Sequence, residues 1–98
     1  MSRSLRFHPA AETDLGDAAN RYALQCPDLD QRFIAEIELA LAQIVAFPEA
    51  SSPVNARTRR KILPGYPYSL MYSVTAAEIR VLAVAHHARS PFYWQGRE

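Results

Sequence analysis

Two stretches of this 98-residue sequence concentrate the side chains that could do chemistry. The first, Arg57-Thr58-Arg59-Arg60-Lys61, sets four cations within five positions. The second, His86-His87-Ala88-Arg89-Ser90-Pro91-Phe92-Tyr93-Trp94 with Arg97 just beyond, mixes cations, histidines and aromatics. Cations crowded on one strand repel one another unless an acidic ligand or partner sits nearby, so the first stretch points to an anion or an acidic surface. A charged edge strand guarded against aggregation has the same look. Histidine titrates closest to neutrality and is the natural proton carrier, though at a strand end it equally serves as a hydrogen-bonded structural residue. Tyr93 and Trp94 offer flat faces, either for stacking or for folding back onto a sheet.

Charge is unevenly spread. Residues 1–50 carry four basic and eight acidic side chains, a net of −4, whereas residues 51–98 carry seven and two, a net of +5, which together give the formal +1. An acidic half and a basic half are therefore expected, with anionic ligands steered to the second. The lone Cys26 excludes an internal disulfide and a cysteine-built zinc cage, and no metal or cofactor is expected. No apolar run reaches membrane-spanning length and no charged-then-apolar leader follows Met1, so the expectation is a cytoplasmic protein that does not enter a membrane. At 98 residues, 49% of them hydrophobic, the chain fits one domain over 1–98 with a modest core.

Periodicity supplies the elements that must position these residues. Ser4 to His8 alternates as an opening strand. Pro9 suits the first position of a helix, with Glu12 and Asp14 near the positive end of its dipole, and Ala11, Leu15, Ala18, Ala19 and Tyr22 form its apolar stripe. Gly16 costs that helix about 1 kcal/mol relative to alanine unless something packs closely against it. Cys26 to Asp30 reads as a turn with an acid available to cap a second helix, whose stripe is Phe33, Ile34, Ile37, Leu41, Ile44 and Val45. After a loop over Pro48 to Asn55 come a basic strand, 57–63, a turn at Pro64-Gly65-Tyr66-Pro67 and a strand, 68–74, with Tyr68, Leu70, Tyr72 and Val74 on one face. Glu78 to His87 is apolar on both faces in its middle, as befits a central strand, and the tail from Ala88 has no clear period. The order β-α-α-β-β-β gives an α+β domain: a mostly antiparallel sheet with a two-helix hairpin packed on one face.

Several of these segments together resemble the RelE/ParE superfamily of bacterial type II toxin–antitoxin toxins. The resemblance covers almost the whole chain. It rests on the opening strand with Pro9 to Asp14 and Tyr22, on Ile44-Val45-Ala46-Phe47-Pro48, on Arg60-Lys61-Ile62-Leu63 before Tyr66-Pro67-Tyr68-Ser69-Leu70-Met71-Tyr72, and on Val84-Ala85-His86-His87-Ala88-Arg89-Ser90-Pro91-Phe92-Tyr93-Trp94. Tyr-Pro-Tyr-x-x-x-Tyr followed by Val-Ala-His-x-x-Arg-x-Pro-x-Tyr-Trp is the most specific part, and it looks most like the ParE branch. The resemblance implies a toxin neutralised by a cognate antitoxin protein. ParE-like members inhibit DNA gyrase, whereas RelE-like members are mRNA endoribonucleases that act on the ribosome. A third possibility is a toxin-derived module that keeps only its antitoxin-binding groove.

The two branches make different demands on the residues. Cutting RNA without a metal requires a base for the 2′-hydroxyl proton, an acid for the leaving oxygen and a cation for the phosphoryl charge. His87, Arg89 and Tyr93 would be the catalytic candidates for such an interferase, with Arg60 as a further phosphate ligand. For binding a target or a phosphate, the candidates are Arg57, Arg59, Arg60, Lys61, Trp94 and Arg97. The phosphate-binding arginine that RelE-like ribonucleases often carry near the start of the middle strand falls here on Ser69, which has no charge to offer. The net charge of +1 is also low for gripping ribosomal RNA. Both observations favour the ParE-like reading.

Overall fold

Where the first strand stops is set by two residues. In the computed structural model, which describes residues 3–97, β1 (Ser4–Phe7) ends at His8, whose Nδ1 accepts a hydrogen bond from the Ala10 amide at 3.0 Å and so caps α1 (Pro9–Gln25). Pro9 has no N–H to give a strand ladder but loses nothing at the first helical position, so strand becomes helix there. The helix α2 (Leu29–Ala46) follows a short turn. Of the two acids in that turn Asp28 occupies the cap position, but at φ 69° in the left-handed region and without the side-chain capping bond expected there. Asp30 instead supplies the favourable negative charge in the first turn.

The rest of the chain is sheet. β3 (Thr58–Ile62), β4 (Tyr68–Val74) and β5 (Glu78–His86) pair antiparallel in sequence, and β1 adds to β5 in parallel. The segment read as a loop contains one further two-residue strand, β2 (Ser52–Pro53), which pairs antiparallel with β3 at Arg60 and Arg59. Pro53 fits there because an edge strand can spare an N–H. The order across the sheet is β1-β5-β4-β3-β2, with the hairpin of α1 and α2 on one face.

Alternation along β4 sorts side chains to the two faces as expected. Tyr68, Leu70, Tyr72 and Val74 join Phe33, Ile37 and Ile44 of α2 and Ala18 of α1 in the main core. Tyr22, Phe33, Tyr66 and Tyr68 pack ring against ring at 5.0 to 6.2 Å, and the Tyr72 hydroxyl donates to the Pro48 carbonyl at 2.7 Å. The opposite face carries a smaller cluster in which Trp94 covers Met71 and Ala83. Between them β5 holds one extra residue: Met71 pairs with Ala83 and Tyr72 with Val81, which leaves Leu82 as a bulge.

Gly16 has open space where a Cβ would sit and lies on the exposed side of α1, so nothing in the fold requires glycine there. Gly16→Ala is expected to raise stability by about 0.5–1 kcal/mol, read as a higher urea midpoint at unchanged slope.

Candidate functional site

The site begins with a strand that loses its neighbour. β1 pairs with β5 only from Glu78 to Val81, and the last ladder bond is His8 N–H to the Val81 carbonyl at 2.8 Å. Beyond that point β5 has an open edge whose polar groups need partners. Side chains supply them. The Asp14 carboxylate accepts from the Val84 amide at 3.2 Å, the Arg97 guanidinium donates to the Leu82 carbonyl at 3.1 Å, and the Tyr93 hydroxyl lies 3.5 Å from the Val84 carbonyl. The three side chains also bind one another: Arg97 pairs with Asp14 at 2.7 Å, and Tyr93 donates to the same carboxylate oxygen at 3.3 Å. The Arg89 guanidinium sits over the Tyr93 ring, 3.9 Å from its centre.

Burial raises the Tyr93 phenol above its ordinary value of 10.0, the negative charge of Asp14 raises it further, and Arg97 and Arg89 pull the other way. The folded protein therefore favours the protonated phenol. The stability this contributes is complete below the ordinary value and is lost as pH climbs above it. At neutral pH the hydroxyl is a donor already engaged, not a proton acceptor.

These contacts hold the tail against the outer face of the sheet, the one away from the helices, and a pocket of about 240 Å³ opens there. Arg60, Ser69, His87, Arg89, Phe92 and Trp94 line it. His87 Nε2 and the buried Ser69 hydroxyl lie 2.9 Å apart, and the His87 amide donates to the Pro67 carbonyl at 2.8 Å. His86 is tied down, its Nδ1 accepting from the Ala88 amide at 2.9 Å and its ring edge-on to Tyr68 at 4.9 Å. Trp94, 6% exposed, is mainly a packing residue over Met71. Phe92 is more exposed and takes φ 62°, a conformation that costs a bulky side chain roughly 1–3 kcal/mol.

The basic stretch on β3 does not act as one cluster. Residues directly opposite in a ladder share a face, so Arg60, across from Met71, points to the pocket side, while Arg59 and Lys61, across from Tyr72 and Leu70, belong to the helix side. Arg59 is spent on architecture, donating to the Glu49 and Ser51 carbonyls at 3.0 and 2.7 Å. Arg57 precedes the strand in a turn built on Asn55, whose side chain accepts from the Arg57 and Thr58 amides at 2.8 and 2.9 Å. Of the residues singled out in the sequence, the fold thus gathers Arg60, His87, Arg89, Tyr93 and Trp94, and sends Arg57 to a second groove at the other end of the face; Arg97, bonded to Asp14 beside Tyr93, also lines that groove. The expectation for Asp14 is only that of a helix-dipole acid. Its sequence signal was an acid three residues after Ala11 and four before Ala18, both fully buried, which puts it on the buried side of α1.

Among the described residues no group of three or more His, Cys, Asp or Glu side chains could hold a metal ion, and no helix is long and apolar enough to cross a membrane. What the sheet, hairpin and tail define is a small α+β domain: a sheet whose outer face carries arginines and a histidine-lined pocket, with a two-helix hairpin on the other face. Comparison with known proteins gives the family. The family model described as the ParE toxin of the type II toxin–antitoxin system parDE matches residues 5–91. The chain is 32% identical over 92 residues to Toxin ParE2 from two strains of Mycobacterium tuberculosis, covering 93% of this chain and 88% of theirs. A solved structure described as the chromosomal ParDE TA system from P. aeruginosa has the same fold, with a TM-score of 0.75 at 21% identity over 87% of this chain and 96% of that one. The chain belongs to the ParE toxin family of type II toxin–antitoxin systems.

Asp14→Ala would leave Arg97 and the Val84 amide without their partner, in a cluster where the Arg97 and Asp14 side chains are only 19% and 12% exposed. The expected cost is about 2–4 kcal/mol in urea unfolding, with faster hydrogen exchange at Val84 and along the tail but not in α2.

Proposed function

We propose that this toxin poisons DNA gyrase by binding it, and that a cognate antitoxin keeps it inactive in the cytoplasm. Family membership supports the antitoxin and makes gyrase the first target to test. The observation that carries the choice of gyrase over RNA cleavage is the commitment of Tyr93. Its hydroxyl bonds to Asp14, and burial with Asp14's charge pushes its ionisation upward, so it is poorly placed to take a proton from a 2′-hydroxyl. Ser69, where a ribonuclease of the wider superfamily would carry a cation, instead lies against His87. Arg60, His87 and Arg89 do share one pocket, which is why the ribonuclease reading is the alternative that the test must address.

The hairpin supports the antitoxin assignment. Ile34, Leu41 and Val45 recur at helical spacing along α2 beside its buried stripe, Leu41 partly buried and the other two exposed, and Phe47 just beyond the helix is 70% exposed. An amphipathic antitoxin segment laid along this stripe would cover it.

Purified, antitoxin-free protein is expected to block supercoiling of relaxed plasmid by gyrase, and His87→Ala is expected to keep that inhibition within about twofold. No effect on gyrase would reject the proposal, and loss of inhibition by about 100-fold or more on His87→Ala would instead put the His87 pocket in the gyrase-binding surface. Ile34→Asp with Val45→Asp is expected to weaken antitoxin binding while leaving gyrase inhibition in place.

A further inference from the structure

The end of the outer face opposite the His87 pocket is built differently. Thr58 of β3, Ser73 of β4 and Arg80 of β5 are directly opposite one another in adjacent ladders and form a polar row across three strands. Around this row lies an open groove of about 780 Å³. Arg3, ahead of β1, Arg57, ahead of β3, and Arg97, from the tail, contribute its walls, so with Arg80 four segments distant in sequence each bring an arginine to its lining. Two of these are anchored: Arg3 Nε donates to the Thr75 carbonyl at 2.7 Å, and Arg97 pairs with Asp14. Two carboxylates, Glu49 and Glu78, also line the groove, but among the described residues the one ion pair is Arg97–Asp14. Arg57 and Arg80 thus face the groove without a carboxylate partner among the described residues.

We infer that this groove binds the phosphodiester backbone of a nucleic acid. Guanidinium groups held close together repel unless an anion lies between them, and their planar forks match phosphate oxygens two at a time. The row beneath adds the Thr58 and Ser73 hydroxyls, donors of the kind that commonly meet phosphate and sugar oxygens. A groove of this size with several cations along its walls suits a ligand that repeats its charge at every unit, as a nucleic-acid strand does. An acidic peptide would match it only where its sequence happened to place carboxylates. The site is distinct from the His87 pocket, and the inference does not depend on which target the toxin poisons.

Fluorescence anisotropy of a fluorescein-labelled oligonucleotide, single-stranded or duplex, titrated with the purified full chain tests it. Binding is expected to weaken steeply between about 50 and 200 mM salt, with a slope of log K on log salt of about −2 or steeper. Arg57→Ala with Arg80→Ala is expected to cost about tenfold or more and to flatten the slope by about one for each arginine removed. Arg57→Lys with Arg80→Lys keeps the charge if the alanine pair fails to fold; it should retain most of the slope and lose affinity through the missing fork. Arg32→Ala, an exposed arginine on α2 away from the groove, should change little. A preference for single strand or for duplex would identify the source of the phosphate. Failure to bind at low salt, dependence on Arg60 rather than on Arg57 and Arg80, or displacement by polyglutamate as effective as by unlabelled DNA would overturn the inference.

Discussion

A parallel strand that stops halfway along its partner leaves the second half of that partner's edge exposed, and in this protein three side chains close it. Asp14 reaches from the first helix, Tyr93 and Arg97 from the C-terminal tail, and together they meet Val84 and Leu82 where β1 no longer can. A backbone group left without a partner in this half-buried place would cost about 1–3 kcal/mol, so the contact between helix, strand and tail is required by the strand itself. Because the tail is fixed there, Trp94 can cover Met71, Arg89 can lie over Tyr93, and the outer face acquires a wall and therefore a pocket. The same bonds that build the pocket hold the Tyr93 phenol protonated, as a donor to Asp14.

Strand geometry then divides the charge. The four cations of the basic stretch go to four different places: Arg60 to the pocket, Arg59 to the carbonyls of the preceding loop, Lys61 to the helix side, and Arg57, just ahead of the strand, to the groove beyond. The outer face ends up with an apolar row under Trp94 at one end and a polar, arginine-walled row at the other. The hairpin, by contrast, presents an apolar stripe. A toxin that works by binding can use these as separate surfaces, one for its antitoxin and others for its target, and a protein of this family has use for both.

Much of the fold was legible because local signals and the global arrangement agree. Pro9 after an alternating strand, the stripe of Phe33, Ile37 and Ile44, and Tyr68 to Val74 each state one periodicity and keep it in the structure. β2 was not legible, since two residues with a proline carry no period, and the bulge at Leu82 was not, because a run apolar on both sides conceals one extra residue. The site was half visible. Residue types pointed to Arg60, His87 and Arg89, but the pairing of Asp14 with Arg97, 83 positions apart, depends on how strand β1 ends, which no spacing within either segment encodes. Arg3 and Arg80 carry no local signal for the same reason: they line one groove with Arg57 only once the sheet is assembled.

If this toxin acts by binding, its tail is architecture, with Tyr93 held as a donor to Asp14. Cell-free translation of pre-made mRNA, with the antitoxin-free protein added and message ends mapped by primer extension, tests that claim most directly because gyrase has no part in the reaction. Full-length message and undiminished protein output are predicted. New mRNA ends that require the ribosome and vanish with Tyr93→Phe would contradict it and make the pocket a ribonuclease site.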